Sequence, residues 1–367
     1  MRFIWLISLF ASLHARALVP LKNFERVDRF AFGSCNRHYK PQPLWSEILA
    51  TDPQLWIWAG DNVYPPSEAT PAGLRIPYED QLKNPGFHKL RERVPMLGTW
   101  DDHDYGQNDG GANYRHKQIS QERFLDFLGV SANDVRRVRE GVYHSEVLGP
   151  KDQQVKFILL DNRYHKRPGD ILGEEQWRWL DDELTFSQAK IHFIVSGLSV
   201  LSRSVPLSEE WRDDAASFER LMELLEKHRQ KGIVILTGDK HFGHFFEHRG
   251  FVEFMSSGLT HTVRKPLRAS VRRLYSRPFI GLHWGQVDIL WGEPLRLRMT
   301  LKGRQGRVPQ IREYTMRGGA WVLEKSFNEA PPAAKSLVPV PKPLQKKNKP
   351  KGISPLPAHR EFGNPQF

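Results

Sequence analysis

The sequence predicts an α/β fold, in which buried β-strands alternate with amphipathic helices along one continuous stretch of chain. Short apolar runs typical of buried strands recur throughout this stretch. These runs span residues 29–33, 55–59, 94–99, 155–160, 191–195, 233–237 and 252–255, and two later runs span 284–290 and 295–301. Apolar residues spaced three and four apart predict helices at 176–184 and 215–228. Strands that alternate with helices favour a layered fold.

Composition and the distribution of charge narrow the functional classes. Of the 367 residues, 39% are hydrophobic, which is enough for a large packed core. The formal net charge of +12 comes from two segments: residues 263–277 hold six basic and no acidic residues, and residues 330–367 hold seven basic residues and one acidic residue. The rest of the chain is close to neutral, so no specific nucleic-acid partner is expected. The two basic segments are candidates for weak contact with an anionic surface.

The chain divides into three parts. Residues 1–17 are typical of a signal peptide, with a basic start, an apolar run at 3–13 and small residues around a cleavage site. A short uncleaved anchor or a transit peptide is the alternative. The α/β domain is predicted to span 28–325. Residues 330–367 contain nine prolines and a lysine-rich cluster, which is typical of a disordered tail. We therefore expect a secreted protein or one retained in a secretory compartment.

Polar motifs follow six of the predicted strands, at the point where each strand ends. The motifs are Ser34-Cys35-Asn36, Asp61-Asn62-Val63-Tyr64, Asp101-Asp102-His103-Asp104, Asp161-Asn162-Arg163-Tyr164, Asp239-Lys240-His241 and Ser256-Ser257-Gly258-Leu259-Thr260-His261. In open α/β sheets the carboxyl ends of neighbouring strands lie along one crevice. We therefore expect these motifs to converge on a single site.

Several of these residues are of types that bind metals. Asp61 can bridge two cations and Tyr64 can place a phenolate on the same metal, although Gly-Asp-Asn is also ordinary turn chemistry. Asp239 and His241 are two residues apart, so in an extended segment they project to the same side. Cys35 is the only cysteine, which excludes an intrachain disulfide. It is either an inert buried thiol or a metal-bound thiolate, and its neighbours favour the second interpretation.

Two other motifs suggest groups that act on a substrate. His103 lies among three carboxylates, which would hold the imidazole charged and oriented for a role as general acid or phosphate contact. The alternative is an acidic, solvated turn. Arg163 carries a guanidinium that matches phosphate oxygens, and an ion pair with Asp161 is the alternative. His261 either lines the mouth of the site or forms structural hydrogen bonds.

Taken together, these motifs resemble the alkaline phosphatase D (PhoD-like) family of the metallophosphoesterase (calcineurin-like) superfamily. The matching stretches occur in family order between residues 29 and 261. They are FGSCN (32–36), GDNVY (60–64), WDDHDYGQNDGG (100–111), LDNRY (160–164), LGEEQWRWL (172–180), TGDKHFGHF (237–245) and SSGLTH (256–261). The resemblance implies a four-layer α/β/β/α metallophosphatase sandwich of two mixed β-sheets flanked by helices.

The resemblance also implies a metal site with Fe³⁺ and Ca²⁺, with other divalent metals as alternatives. On the family pattern, iron would be held by Cys35, Asp61, Tyr64 and His241. Asp61 would bridge to a second site that Asp102 and Asp239 complete. Asn108 would support calcium. His103 would be the catalytic histidine, which contacts the substrate or protonates the leaving group.

The resulting expectation is a secreted metal-dependent phosphatase that hydrolyses phosphate esters. No phosphate-binding Gly-rich loop, nucleophile-elbow serine or paired-cysteine motif occurs in the sequence, so a metal-bound hydroxide is the expected nucleophile. Two alternatives are a phosphodiesterase or phospholipase of the same fold, which the basic segment 263–277 would suit, and a catalytically silent secreted binding protein.

Overall fold

The computed structural model describes residues 19, 21, 24–66, 69–202, 209–263, 278–305, 307 and 309–327. The predicted signal peptide at 1–17, residues 264–277 of the basic segment and the predicted tail at 330–367 lie outside this part of the chain. Within it, no helix combines the length and the apolar character that crossing a membrane requires.

The described residues form thirteen β-strands and seven α-helices. In chain order the strands are β1 (Arg29–Gly33), β2 (Trp56–Ala59), β3 (Met96–Thr99), β4 (His144–Leu148), β5 (Val155–Leu159), β6 (Ile191–Ser196), β7 (Ile233–Thr237), β8 (Gly243–His248), β9 (Phe251–Ser256), β10 (His283–Leu290), β11 (Arg296–Gly303), β12 (Gln310–Arg317) and β13 (Ala320–Phe327). The helices are α1 (Trp45–Leu49), α2 (Pro71–Lys83), α3 (Pro85–Arg91), α4 (Asp102–Tyr105), α5 (Lys117–Phe127), α6 (Glu174–Thr185) and α7 (Ala215–Lys227).

The strands form two mixed sheets. One has seven strands in the order β13-β12-β11-β10-β1-β2-β3, and the other has six in the order β4-β5-β6-β7-β9-β8. Strands β1, β2 and β3 are parallel, as are β5, β6, β7 and β9. The strands that precede the predicted site motifs therefore all belong to the parallel part of a sheet.

Both faces of these parallel strands are buried, which explains their nearly continuous apolar sequences. In β2, Ile57 and Ala59 face the core between the two sheets, whereas Trp56 and Trp58 face helices on the outer side. Successive side chains of a strand point to opposite faces, so each parallel strand contributes to two cores.

The two sheets and their helices form four layers. Helices α1, α2, α3 and α5 cover the outer face of the seven-stranded sheet, where their apolar residues pack around Trp56 and Trp58. Helices α6 and α7 cover the outer face of the six-stranded sheet and pack on Ile158, Ile194 and Ile235. The predicted α/β/β/α sandwich of two mixed sheets is therefore confirmed.

Candidate metal centre

The loops that follow β1, β2 and β7 hold four of the predicted metal ligands in an uncommon backbone conformation. Positive φ angles occur at Cys35 (59°), Asp61 (51°), Asp239 (74°) and His241 (57°). Among the described residues, only seven non-glycine residues have such angles, so the predicted ligands account for more than half of them. Backbone conformations of this kind cost free energy and concentrate at functional sites.

Glycines let the two sheets approach each other at this edge. A Cβ atom on Gly238 would lie 2.4 Å from the carbonyl oxygen of Ala59 and 2.4 Å from the hydroxyl of Ser34. The loop after β7 in one sheet therefore touches the loops after β1 and β2 in the other sheet only because residue 238 has no side chain.

The structure brings four side chains together, which we call the ligand cluster: Cys35, Asp61, Tyr64 and His241. The Cys35 Sγ lies 3.6 Å from Asp61 Oδ2, and the Tyr64 hydroxyl donates to the same oxygen at 2.7 Å. The Tyr64 hydroxyl also lies 3.3 Å from His241 Nε2. Ligand atoms of Cys35, Asp61 and His241 all lie within 4.8 Å of one another, which one metal ion could span.

A second group of potential ligands shares Asp61. Ligand atoms of Asp61, Asp102 and His103 lie within 4.8 Å of one another, and the His103 backbone N–H donates to Asp61 Oδ1 at 3.3 Å. One carboxylate oxygen of Asp61 thus faces the first group and the other faces the loop after β3. Asp61 is the residue that would be shared if a cation bound to each group.

Asp239 was predicted to complete the second site. Its carboxylate lies 3.0 Å from the buried ammonium group of Lys240, so part of its charge is already balanced. Burial and, to a lesser degree, the neighbouring Asp102 carboxylate raise the pKa of Asp239 to about 6. Asp239 belongs to neither of the two groups of described residues whose ligand atoms lie within 4.8 Å of one another, so its place in the second site stays a prediction. It pairs instead with a lysine to which sequence reasoning gave no role.

The remaining carboxylates of the motif after β3 have structural partners. Asp104 accepts hydrogen bonds from the backbone N–H groups of Asp61, Asn62 and Asp101 at 3.2, 3.1 and 2.7 Å. It therefore holds the Asp61 loop against helix α4. The alternative of an acidic, solvated turn is wrong, because Asp101, Asp102 and Asp104 are all buried.

Asp101 belongs to a second set, which we call the ion-pair cluster: the buried Asp101 and Arg163 and the partly exposed Lys166 and Glu209. The Arg163 guanidinium is 1% exposed and lies 2.5 Å from Asp101 Oδ1 and 2.6 Å from Glu209 Oε2. Lys166 forms an ion pair with the same glutamate. The ion pair between Arg163 and Asp161, which the sequence offered as an alternative, is wrong. Arg163 pairs with the two other acids, and Asp161 instead accepts hydrogen bonds from the backbone N–H groups of residues 163 and 164.

A cleft of about 600 Å³ opens beside the ligand cluster at Tyr64 and His103. Asn108 is exposed on its rim, and its side-chain amide donates to Asp109 at 3.0 Å. Arg37 lines the inner part of the cleft, with its guanidinium 5.3 Å from the centre of the Tyr64 ring. Within the described part of the chain Arg37 has no ion-pair partner, unlike Arg163.

Sequence reasoning did not single out Arg37 or Ser257. Arg37 lies two positions after Cys35, and this closeness in sequence to a predicted ligand is the signal that indicates a place at the site. Ser257 contacts the ligand cluster twice: its hydroxyl lies 3.0 Å from Cys35 Sγ and accepts the backbone N–H of His241 at 2.7 Å. His261 lies at the cluster as well, with its Nε2 atom 3.1 Å from His241 Nε2, which favours a position at the mouth of the site.

The electrostatics of the ligand cluster fit a bound cation. Burial raises the pKa of the Cys35 thiol to about 11. Burial, followed by the negative charges of Cys35 and Asp102, raises the pKa of Asp61 well above its usual range, and burial and Asp61 do the same to Tyr64. A bound metal ion would lower these pKa values, because it stabilises each anion directly. A thiolate, a phenolate, a carboxylate and an imidazole form a donor set suited to a transition metal.

Solved structures share this fold at low sequence identity. A structure of PhoD aligns with a TM-score of 0.67 and 13% identity, covering 84% of this chain and 73% of that chain. The purple acid phosphatase PPD1 from yellow lupin (Lupinus luteus) seeds aligns with a TM-score of 0.56 and 10% identity, covering 76% of this chain and 52% of that chain. At such identities the similarity shows the fold alone.

Sequence comparison is more specific. A search of curated proteins found no significant match. The model of the PhoD-like phosphatase family matches residues 30–273, which include every residue of the ligand cluster. Because the match covers well over half of the chain, the protein belongs to the PhoD-like phosphatase family and is a phosphoric ester hydrolase.

Proposed function

We propose that the protein is a metal-dependent phosphatase whose reaction takes place between the ligand cluster and the adjoining cleft. The observation that carries this proposal is the convergence of Cys35, Asp61 and His241, whose ligand atoms lie within 4.8 Å of one another beside a cleft of about 600 Å³. A second set of ligand atoms shares Asp61. Two adjacent cation sites at the base of a cleft suit the hydrolysis of a phosphate ester.

Iron is the metal that we propose for the ligand cluster, and calcium for the neighbouring carboxylates. Cys35, Tyr64 and His241 offer sulfur, phenol oxygen and imidazole nitrogen, which favours a transition metal there. Asp102 and Asp239 offer oxygen atoms, which calcium prefers. Bound cations would activate a water nucleophile and offset charge on the phosphate oxygens. Asn108, at the rim, remains a proposed contributor to the calcium site.

The side chains beside the metal ligands have proposed roles in holding the phosphate and the leaving group. His103 lies at the junction of the second ligand group and the cleft, so it can either contact a phosphate oxygen or pass a proton to the leaving oxygen. Arg37 projects a cation into the same cleft and can bind phosphate oxygens. Arg163 remains a proposed phosphate clamp, although its guanidinium is bound to two carboxylates.

Metal analysis combined with a substrate panel tests this function. The purified protein is analysed for iron and calcium, and hydrolysis of 4-nitrophenyl phosphate and bis(4-nitrophenyl) phosphate is measured before and after treatment with a chelator. We expect bound iron and monoester turnover that is lost with the metal. Faster turnover of the diester would favour a phosphodiesterase. A protein without a transition metal, whose activity resists the chelator, would contradict the proposal.

We also propose that residues 1–17 direct the protein into the secretory pathway. The support is the sequence itself, in which a basic start, an apolar run and a small-x-small site occur in the order of a signal peptide. Expression of the full chain followed by N-terminal sequencing of the mature product tests this. A product that begins at Leu18 and appears in the secreted fraction is expected, whereas a product that retains Met1 would count against cleavage.

A further inference from the structure

The cleft beside the ligand cluster has two ends of different chemistry. Its inner end is formed by Arg37, Tyr64 and His103, next to the predicted metal ligands. Its outer wall is formed by Tyr39, Ile76 and three prolines, Pro65, Pro66 and Pro77. A phosphate group held at the inner end would direct its organic substituent along the outer wall.

The outer wall exposes apolar surface to solvent. Tyr39 is 63% exposed and Ile76 is 49% exposed, and both are among only nine large hydrophobic residues that are exposed in the described part of the chain. These two residues give the cleft exposed apolar surface, to which the exposed Pro66 adds, whereas Pro65 and Pro77 are buried beneath it. Contiguous exposed apolar surface next to a polar site is typical of ligand binding.

The Tyr39 ring is exposed and contacts one neighbouring ring among the described residues. The edge of the neighbouring His38 ring contacts it at 5.1 Å between ring centres with an interplanar angle of 89°. This contact restrains the tyrosine, which lines the cleft and remains 63% exposed to solvent. Proline rings are rigid and flat enough to contact a second face of a planar group.

The charge of the cleft also limits its ligand. None of the described residues that line it is acidic, and Arg37 contributes a cation. Gln107 and Asn108 add amide groups at the rim. An anionic phosphate with an uncharged planar substituent complements this arrangement, whereas a cationic substituent does not.

We propose that this cleft is a leaving-group subsite that selects phosphate esters whose organic group carries a planar ring, with Tyr39 as the residue that stacks on the ring. The inference rests on the proposed phosphatase function and specifies the substrate class for that site. The ring can belong to an aryl compound or to a nucleobase, because both present the same flat π surface.

Substrate pairs that differ in the ring test the proposal. The first pair is benzyl phosphate and ethyl phosphate, whose leaving groups are both primary alcohols. The second pair is a nucleoside 5′-monophosphate and ribose 5-phosphate. For each pair the ratio of kcat/KM is measured in the wild type, Tyr39→Ala, Tyr39→Phe and Ile76→Ala. Taking ratios removes any general effect of a substitution on the reaction.

We expect Tyr39→Ala to lower the ratio for at least one pair by about tenfold, mainly through KM, because a stacking contact of this size is lost. Tyr39→Phe keeps the ring and should keep the ratio. Ile76→Ala should give a smaller decrease. A decrease for the benzyl pair alone identifies an aryl substrate, and a decrease for the nucleotide pair alone identifies a nucleobase. Phe186→Ala, which removes a 76% exposed aromatic residue at the end of α6, is the matched control and should change neither ratio.

Binding measurements separate this proposal from the proposed function. Benzylphosphonate and ethylphosphonate are not hydrolysed, so their affinities are measured by calorimetry regardless of turnover. If the wild type hydrolyses no phosphate ester but binds benzylphosphonate more tightly, and Tyr39→Ala removes that preference, the phosphatase proposal fails and the subsite proposal stands. If Tyr39→Ala leaves every ratio and both affinities as in the wild type, or lowers all of them equally, the subsite proposal is overturned.

Discussion

The ligand cluster and the ion-pair cluster lie side by side at the same edge of the two sheets, and each buries an aspartate, Asp61 in the first and Asp101 in the second. In the ion-pair cluster the protein provides the counter-charge: Arg163 binds Asp101 and Glu209, and Lys166 binds the same glutamate. In the ligand cluster, the hydrogen-bond donors to the Asp61 carboxylate among the described residues are the Cys35 thiol, the Tyr64 hydroxyl and the backbone N–H of His103.

This difference indicates which buried acids are structural and which are reserved for a metal. A buried carboxylate is strongly destabilised unless a cation lies beside it or a proton neutralises it. The ion-pair cluster places the Arg163 guanidinium against Asp101 and Glu209, so a protein cation lies beside each of these acids. Among the described residues no cationic side chain forms an ion pair with Asp61, so this carboxylate needs a proton or an added cation. Burial raises the pKa of both Asp61 and Asp101, so the ion pair, and not the pKa, distinguishes the two clusters.

The largest expected effect is on activity, from Asp61→Asn. This substitution keeps the size of the side chain but removes the charge that both ligand groups share. We expect kcat/KM to fall by at least about a thousandfold and the bound metal to be lost. Activity on 4-nitrophenyl phosphate and metal content of the purified variant measure the two effects.

The stability of Asp61→Asn provides the control. Because no described residue forms an ion pair with Asp61, its neutral replacement should unfold at the same urea concentration as the metal-free wild type, or at a higher one. A variant that keeps both metal and activity, or that unfolds much more easily without metal, would show that Asp61 is a structural group and that the distinction between the clusters is wrong.

The next largest effect is on stability, from Arg163→Met in the ion-pair cluster. The substitution leaves Asp101 buried without its guanidinium, whereas the partly exposed Glu209 keeps its ion pair with Lys166. Removing one partner of a buried ion pair typically costs about 3 kcal/mol of unfolding free energy. Urea denaturation at constant slope measures the loss. The double variant Arg163→Met with Asp101→Asn should recover most of it, because no unpaired Asp101 charge remains.

The double variant also decides the proposed catalytic role of Arg163. If the guanidinium only supports the fold, activity should recover together with stability. If Arg163 binds phosphate, the double variant should be stable and still have a raised KM. An equal loss of stability in the single and double variants would contradict the ion-pair account.

The fold was largely predictable because its parallel strands are buried on both faces. Nine predicted strands correspond to observed ones, and helices α6 and α7 were predicted because each presents one apolar face to a sheet. Strand β13 was missed because it is an edge strand whose residues after Trp321 are exposed and include Glu324 and Lys325. Helix α2 was missed because it contains Pro77 and has little separation of polar and apolar faces.

The sequence indicated which residues lie at the site, but it did not indicate which side chains form ion pairs or hydrogen bonds with each other. Ligand residues such as Cys35 and Asp61 follow strands directly, so the sheet brings them together. The partner of Arg163 could not be inferred, because Glu209 comes from a loop far along the chain and approaches only in the folded protein. The difference between Asp102 and Asp104, two positions apart, likewise depends on which way each side chain turns at the start of α4.

A smaller effect is expected from Arg37, the cleft cation that differs from Arg163 in having no acidic partner among the described residues. Arg37→Ala removes a charge-assisted contact to phosphate, so kcat/KM should fall by about thirtyfold with little change in the unfolding midpoint. Arg37→Lys keeps the charge and should retain part of the activity. A loss of stability as large as that of Arg163→Met would show that Arg37 is also a structural cation.

The smallest effect concerns protons released when a metal binds. In the metal-free protein the pKa of the Cys35 thiol is raised to about 11, and those of Asp61 and Tyr64 are raised above their usual ranges, so protons favour these groups when no cation is present. A metal ion must displace those protons. The apparent affinity for the metal should therefore rise with pH, by up to about tenfold per unit for each proton released.

Calorimetric titration of metal-free protein with zinc near pH 6.5 and pH 8, in buffers of different ionisation enthalpy, counts the protons released. Cys35→Ser should release fewer protons. An affinity that does not change with pH would mean that the ligand cluster is already ionised and that, as in the ion-pair cluster, the protein itself provides the counter-charge.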